Sequence, residues 1–248
     1  MYQKRITREE LDLLPSASFE GRIVVVDTPE GVLPATEELS KADTIGLDTE
    51  SRPSFQRGVF HPVSLLQLST MDTCYLFRLN KIGGLPLEVA QILSSTKIKK
   101  IGLAMKDDII GLARHHRFRA SNCIDLQKII NEYGIVDMSL QKIFAIVFQA
   151  KMSKAQRLTN WEAPELTPQQ LKYAATDAWA TLMIYEQLMR SPKLTPQEII
   201  KLKAEILAEQ IAASNNAREQ REAYEAQRQE RVQRPRQFIR DNNWESNK

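Results

Sequence analysis

Only two cysteines, Cys74 and Cys123, occur in 248 residues, with no paired spacing, which excludes a disulfide framework and a thiolate zinc site. Both read as small buried hydrophobes. No stretch approaches the roughly 18 apolar residues of a membrane span, and Met1-Tyr2-Gln3-Lys4-Arg5 lacks the apolar core of a signal peptide. The expectation is a cytoplasmic protein with no membrane partner. A large charge of one sign is missing too. The net charge of +3 and pI near 8.8 argue against a basic coat over the whole surface and leave room for a local basic groove. No internal repeat is evident.

What is present is enough apolar residue, 42%, for an ordinary globular core. Thr7-Arg8-Glu9-Glu10 has the form of a capping box and opens a short helix. Arg22 to Asp27 and Thr44 to Glu50 read as strands, and Val63 to Ser69 with Thr73 to Phe77 as a hairpin turning at Thr70-Met71-Asp72. From about residue 85 the period lengthens, giving helices over 87–93 and 108–116 around a short buried strand at 100–103. Thr167-Pro168-Gln169-Gln170 and Thr195-Pro196-Gln197-Glu198 each place threonine at the N-cap and proline at the first helical position. The expected fold is therefore α/β, with a mixed sheet flanked by helices. After about residue 214 apolar residues become scarce, so a frayed helix or disordered tail is expected.

Two fragments carry the chemistry. Ile45-Gly46-Leu47-Asp48-Thr49-Glu50 is an apolar strand ending in two acids, and side chains two apart on a strand share a face. Asp48 and Glu50 thus point one way and Thr49 the other. In the later helix, Tyr173 and Asp177 are four apart and share a stripe. That helix is apolar on both sides, through Leu171, Ala175, Ala178 and Leu182 and through Tyr173, Ala180 and Ile184, so it is buried on both sides. Like charges held close raise each other's pKa, and a buried acid must be neutralised by a cation or by a proton.

These motifs resemble the DEDD superfamily of 3'-5' exonucleases, tyrosine subclass, which includes ribonuclease D and the Werner syndrome exonuclease. Asp48 and Glu50 match the family's Asp-x-Glu at a strand end. Asp108, in Gly102 to Leu112, matches its second motif, and Tyr173 with Asp177 matches Tyr-x-x-x-Asp. Asn160-Trp161 and the run from Leu171 to Ala178 are most similar to the Werner-type branch. The resemblance covers roughly residues 20–190 and implies a ribonuclease-H-like fold. With Ser191-Pro192 marking its end, the expected organisation is a 3'-5' exonuclease domain over 1–192, followed by a C-terminal helix and a charged tail, expected to be disordered from its composition, over 193–248.

It implies further that Asp48, Glu50, Asp108 and Asp177 bind two Mg²⁺ or Mn²⁺ ions and that Tyr173 orients the attacking water. Hard oxygen ligands suit such cations, and two of them stabilise both the attacking and the leaving oxygen of a phosphodiester hydrolysis. Of the adjacent pair, Asp108 rather than Asp107 is expected to enter the site, since it places Leu112 one helical turn further on. Arg52 and Phe55 are candidates for a phosphate and a terminal base face, and Lys151, Lys154 and Arg157 for the strand backbone. The partner is expected to be a single-stranded or 3'-end nucleic acid, DNA ahead of RNA. The alternatives are an RNA-trimming enzyme of the ribonuclease D type and a noncatalytic nucleic-acid-binding module on the same fold. Asp125 reads as an N-cap, His115-His116 as a surface pair and Trp161 as a core anchor beneath the last helix.

Overall fold

The computed structural model describes residues 2–56 and 58–233, with side chains to 228. The chain divides into two compact units, Met1–Ile199 and Ile200–Lys248. The first holds a six-stranded sheet built of β1 (Arg22–Val26), β2 (Thr44–Ser51), β3 (Val63–Ser69), β4 (Thr73–Arg78), β5 (Lys99–Gly102) and β6 (Cys123–Asp125). Their spatial order is β1-β4-β3-β2-β5-β6. β2, β3 and β4 form an antiparallel meander, β5 and β6 extend it parallel to β2, and β1 runs parallel to β4.

The helices are α1 (Arg8–Leu13), α2 (Val32–Leu39), α3 (Leu87–Ser94), α4 (Lys106–Ala113), α5 (Leu126–Ile129), α6 (Leu140–Phe148), α7 (Pro168–Met189) and α8 (Pro196–Gln233). Within the first unit, α2, α3 and α4 cover one face of the sheet and α6 and α7 the other, as strands apolar on both sides require. On one face Leu39 of α2, Val89 and Leu93 of α3 and Leu112 of α4 pack with Ile45, Leu47, Leu66 and Phe77. On the other, Ala174, Ala175 and Ala178 of α7 lie against Leu65, Cys74 and Leu76, while Ile143 and Phe144 of α6 join Leu182 and Ile184. The expected capping boxes of α1 and α7 are formed, and Thr195 and Glu198 exchange the same pair of bonds at the start of α8.

Some expectations change. Helix α4 begins two residues earlier than its apolar period suggests, so Asp107 and Asp108 both fall in its first turn. Cys74 is buried as expected, but Cys123 is exposed, because it sits on β6, a three-residue strand at the sheet's edge. The first unit reaches past 192 because Leu194 N donates to the Glu132 carbonyl at 2.8 Å and Lys193 Nζ to the Glu132 carboxylate at 2.6 Å. Residues 214–233, expected to fray or stay disordered, continue α8 without a break. Their Ala, Glu, Gln and Arg content favours helix, and Arg218–Glu222 and Arg221–Glu225 add pairs four residues apart. Residues beyond 233 lie outside the described part.

Candidate active site

The site forms at the end of β2, where alternation along the strand sends side chains into both helical layers. Ile45 and Leu47 enter the α2/α3/α4 side, so Gly46 and Asp48 face α7. Gly46 lets that helix come close: a Cβ there would stand 1.9 Å from the Ala178 carbonyl oxygen. Thr181 Oγ1 of α7 also donates to the Ile101 carbonyl of β5 at 2.9 Å. Tyr173 and Asp177 are thereby held over the end of β2, both buried.

Asp108 arrives from the opposite layer. Thr49, which points away from Asp48 as expected, donates its hydroxyl to Asp108 Oδ1. The neighbouring Asp107 is exposed and Asp108 half-buried. The start of α4 is held by Asp125, which accepts from Gln127 N at 3.0 Å as the expected N-cap of α5 and from Ala104 N at 2.9 Å. Ala104 has φ of 55°, a left-handed conformation uncommon for a residue with a Cβ, and it turns the chain from β5 into α4.

The electrostatics follow from this convergence. Burial, then Asp177 and Asp108, hold the Asp48 carboxyl well above the usual carboxylate range. Burial, then Asp48, push Glu50 up to about 9, with Arg157 pulling it down. Burial pushes Asp177 up to about 7 against the opposing pull of the Tyr173 hydroxyl. Asp108 is raised by burial and lowered by its Thr49 bond. The Tyr173 phenol is driven far above its ordinary value by burial and then by Asp177 and Glu50, so it stays protonated throughout the neutral range.

Asp48 Oδ1 accepts from Thr49 N at 2.9 Å, whereas Asp177 Oδ1 is buried without any hydrogen-bond partner. Among the described residues no three His, Cys, Asp or Glu side chains stand in ligating geometry. Four hard oxygen donors with raised pKa values and an orphaned carboxylate oxygen are nonetheless the donor set a divalent cation takes, and the residues fit one.

The candidates for substrate contact are less uniformly placed. Arg157 is exposed, and its charge pulls the Glu50 pKa down. Arg52 Nη1 lies 3.5 Å from Glu162. Phe55 is 84% exposed, and a different aromatic, Phe60, lines the cavity of about 430 Å³ that Thr49 and Asp108 share with Ile110 and Arg114. Lys151 and Lys154 line a separate cavity of about 460 Å³ with Arg8 and Lys142, and Lys151 Nζ donates to the Asp12 carbonyl at 2.6 Å. Trp161 is fully buried with its ring 6.0 Å from that of Tyr173. Buried Arg78 bonds the Ala163 and Pro164 carbonyls and fixes the segment leading into α7. His115 is tied to the Val63 carbonyl at 2.9 Å.

Thr49, Gln67, Phe60 and Arg78 were not singled out from sequence. Gln67 and Arg78 carried a signal nonetheless, since each is a long polar side chain in a mostly apolar strand.

A mixed sheet of this order, with helices on both faces, is the ribonuclease-H-like exonuclease fold. The solved structures most like it include the Nibbler EXO domain of Aedes aegypti, with TM-score 0.64 and 24% identity over 76% of this chain and 99% of that one. Escherichia coli RNase D has TM-score 0.62 and 23% identity over 68% of this chain and 44% of that one. The chain belongs to the 3'-5' exonuclease family, whose model matches residues 23–192.

Among relatives, the mouse bifunctional 3'-5' exonuclease/ATP-dependent helicase WRN is 30% identical over 192 residues, 71% of this chain and 13% of that protein. An Arabidopsis thaliana 3'-5' exonuclease is 28% identical over 197 residues, 72% of this chain and 67% of that protein. The chain thus spans a small part of the mouse relative and two thirds of the plant one. Among the described residues no helix is long and apolar enough to cross a membrane.

Proposed function

We propose that the protein removes nucleotides one at a time from the 3' end of a DNA strand, with RNA the second choice, releasing nucleoside 5'-monophosphates in the presence of Mg²⁺ or Mn²⁺. Asp48, Glu50, Asp108 and Asp177 would hold the ions, with Asp48, Glu50 and Asp177 the set expected for one and Asp108 for a second. The observation that carries this reading is Asp177 Oδ1, buried and unpartnered among three other acids, a state that is costly unless a cation completes it. Bound ions would neutralise the acids and stabilise charge on the attacking and leaving oxygens.

The chain's own groups do the rest. Tyr173 is a neutral phenol beside Asp177, unable to act as a base near neutral pH, so it donates a hydrogen bond that orients the attacking water. Arg157, whose charge reaches Glu50, meets the phosphate at the reacting end, with Arg52 a second candidate for a phosphate. Lys151 and Lys154, with Arg8 and Lys142 beside them, grip the strand further along. Phe55 offers an exposed face to a base. The preference for DNA rests on the strings shared with the Werner-type branch and on the 30% identity with the mouse exonuclease/helicase.

The test is digestion of 5'-labelled and 3'-labelled DNA and RNA strands side by side, in Mg²⁺, in Mn²⁺ and in EDTA. A ladder from the 5'-labelled strand, immediate release of a labelled 5'-monophosphate from the 3'-labelled one and silence in EDTA are expected. Digestion that EDTA leaves untouched refutes the metal assignment, and faster turnover of RNA reverses the order of substrates. A protein that binds these strands and cuts none is the noncatalytic module.

A further inference from the structure

Gln67 is the middle polar residue of β3, an otherwise mostly apolar strand, and it is fully buried. Neither its Nε2 nor its Oε1 has a hydrogen-bond partner. A buried primary amide with both ends unmet is rare in a folded protein, because its water has been removed and nothing has replaced it. Its place in the sheet is informative. In the antiparallel register of β2 and β3, Gln67 stands directly opposite Asp48, so the two side chains leave the sheet on the same face as a cross-strand pair. That face is the one α7 covers: Leu65, two residues before Gln67, packs with Ala174, Ala175 and Ala178. The amide is therefore buried between the strand bearing Asp48 and the helix bearing Asp177, whose own Oδ1 is also unmet.

We propose that Gln67 is a positioning residue for the metal-binding carboxylates, its Nε2 donating to the Asp48 carboxylate when a cation is bound. Asp48 is held on one side by Thr49 N, which bonds Oδ1 and leaves rotation about the side chain as its remaining freedom. A second donor from the adjacent strand removes that freedom and offsets charge on the carboxylate while its other oxygen faces the ion. Partners of this kind fix the orientation of ligands that touch a metal, and their loss typically lowers metal affinity or activity by about 10- to 100-fold. The inference rests on the metal-dependent reading above and adds to it a residue that touches neither substrate nor ion.

The test uses the full chain and Mn²⁺ itself. Gln67→Leu removes both polar ends at similar volume. Calorimetric titration of the metal-free protein with Mn²⁺ should show affinity about 10- to 100-fold weaker than wild type, while the melting temperature in EDTA stays equal or rises because two unmet polar atoms are gone. The Mn²⁺ concentration giving half-maximal exonuclease activity should rise in parallel, with KM for the strand unchanged. A residue that only packs would give the reverse, a lower melting temperature in EDTA and unchanged Mn²⁺ affinity, and that result overturns the proposal. Gln67→Met, unbranched like glutamine and without a donor, gives the same measurement if the leucine variant does not fold. Wild-type protein that takes up no Mn²⁺ defeats the metal-dependent reading, whereas equal uptake by wild type and variant defeats the role of Gln67 alone.

Discussion

Replacing Glu50 with glutamine should make the metal-free protein more stable, and only above the pH at which an ordinary glutamate ionises. In the unfolded chain Glu50 loses its proton near its ordinary value of 4.5, and in the folded protein it keeps the proton up to about 9. A carboxyl raised on folding binds more protons in the native state, so stability falls as pH rises through that window. At pH 7 the ceiling on this penalty is about 3 kcal/mol, from about 1.4 kcal/mol per pH unit. Glu50 is half-buried, and water reaching it reduces the figure to about 1–2 kcal/mol.

Glutamine has nothing to ionise and escapes the penalty, so Glu50→Gln should melt roughly 2–8 °C higher than wild type at pH 7–8 in EDTA. The two should converge below about pH 4.5. Millimolar Mn²⁺ should reverse the order, because wild type gains a ligand that the variant has lost. Scanning calorimetry at pH 4.5, 6 and 8, with EDTA and with Mn²⁺, reads all three effects. A difference between the two proteins in EDTA that does not change with pH refutes the argument.

Three other outcomes are expected. Tyr173→Phe should slow single-turnover hydrolysis by about tenfold to a thousandfold with strand binding intact, and the wild-type pH profile should show no arm from the phenol below pH 10; an unchanged rate makes the ring a packing group only. Asp108→Asn should be severely impaired and Asp107→Asn nearly normal, since the first carries the Thr49 bond and the second is exposed; comparison of kcat at saturating Mn²⁺ decides, and the opposite order moves the motif by one residue. Gly46→Ala should destabilise the first unit by about 3 kcal/mol or more, because its methyl group would meet the Ala178 carbonyl oxygen at 1.9 Å; urea unfolding measures the loss.

Much of the site could be read locally because its signals are local. A strand's period of two puts Asp48 and Glu50 on one side and Thr49 on the other, and a helix's period of 3.6 stacks Tyr173 on Asp177. Threonine, proline and glutamine three residues on mark where α7 starts, since these residues satisfy the first backbone amides themselves. The double-sided apolar pattern of α7 foretold a buried Asp177, and hence an acid needing a counter-charge.

Distance along the chain hid the rest. Thr49 meets Asp108 because β2 lies between two helical layers, and Gln67 stands opposite Asp48 because of a strand register; neither pairing leaves a trace in spacing, since each joins segments whose juxtaposition depends on how the sheet is assembled. Gly46 looks like an ordinary strand glycine until α7 is laid upon it. Cys123 is exposed because its strand is the last in the sheet, a matter of topology rather than of its neighbours. The persistence of α8 past residue 214 shows the opposite case, in which helix propensity and pairs four residues apart maintain a helix that apolar content alone would not announce.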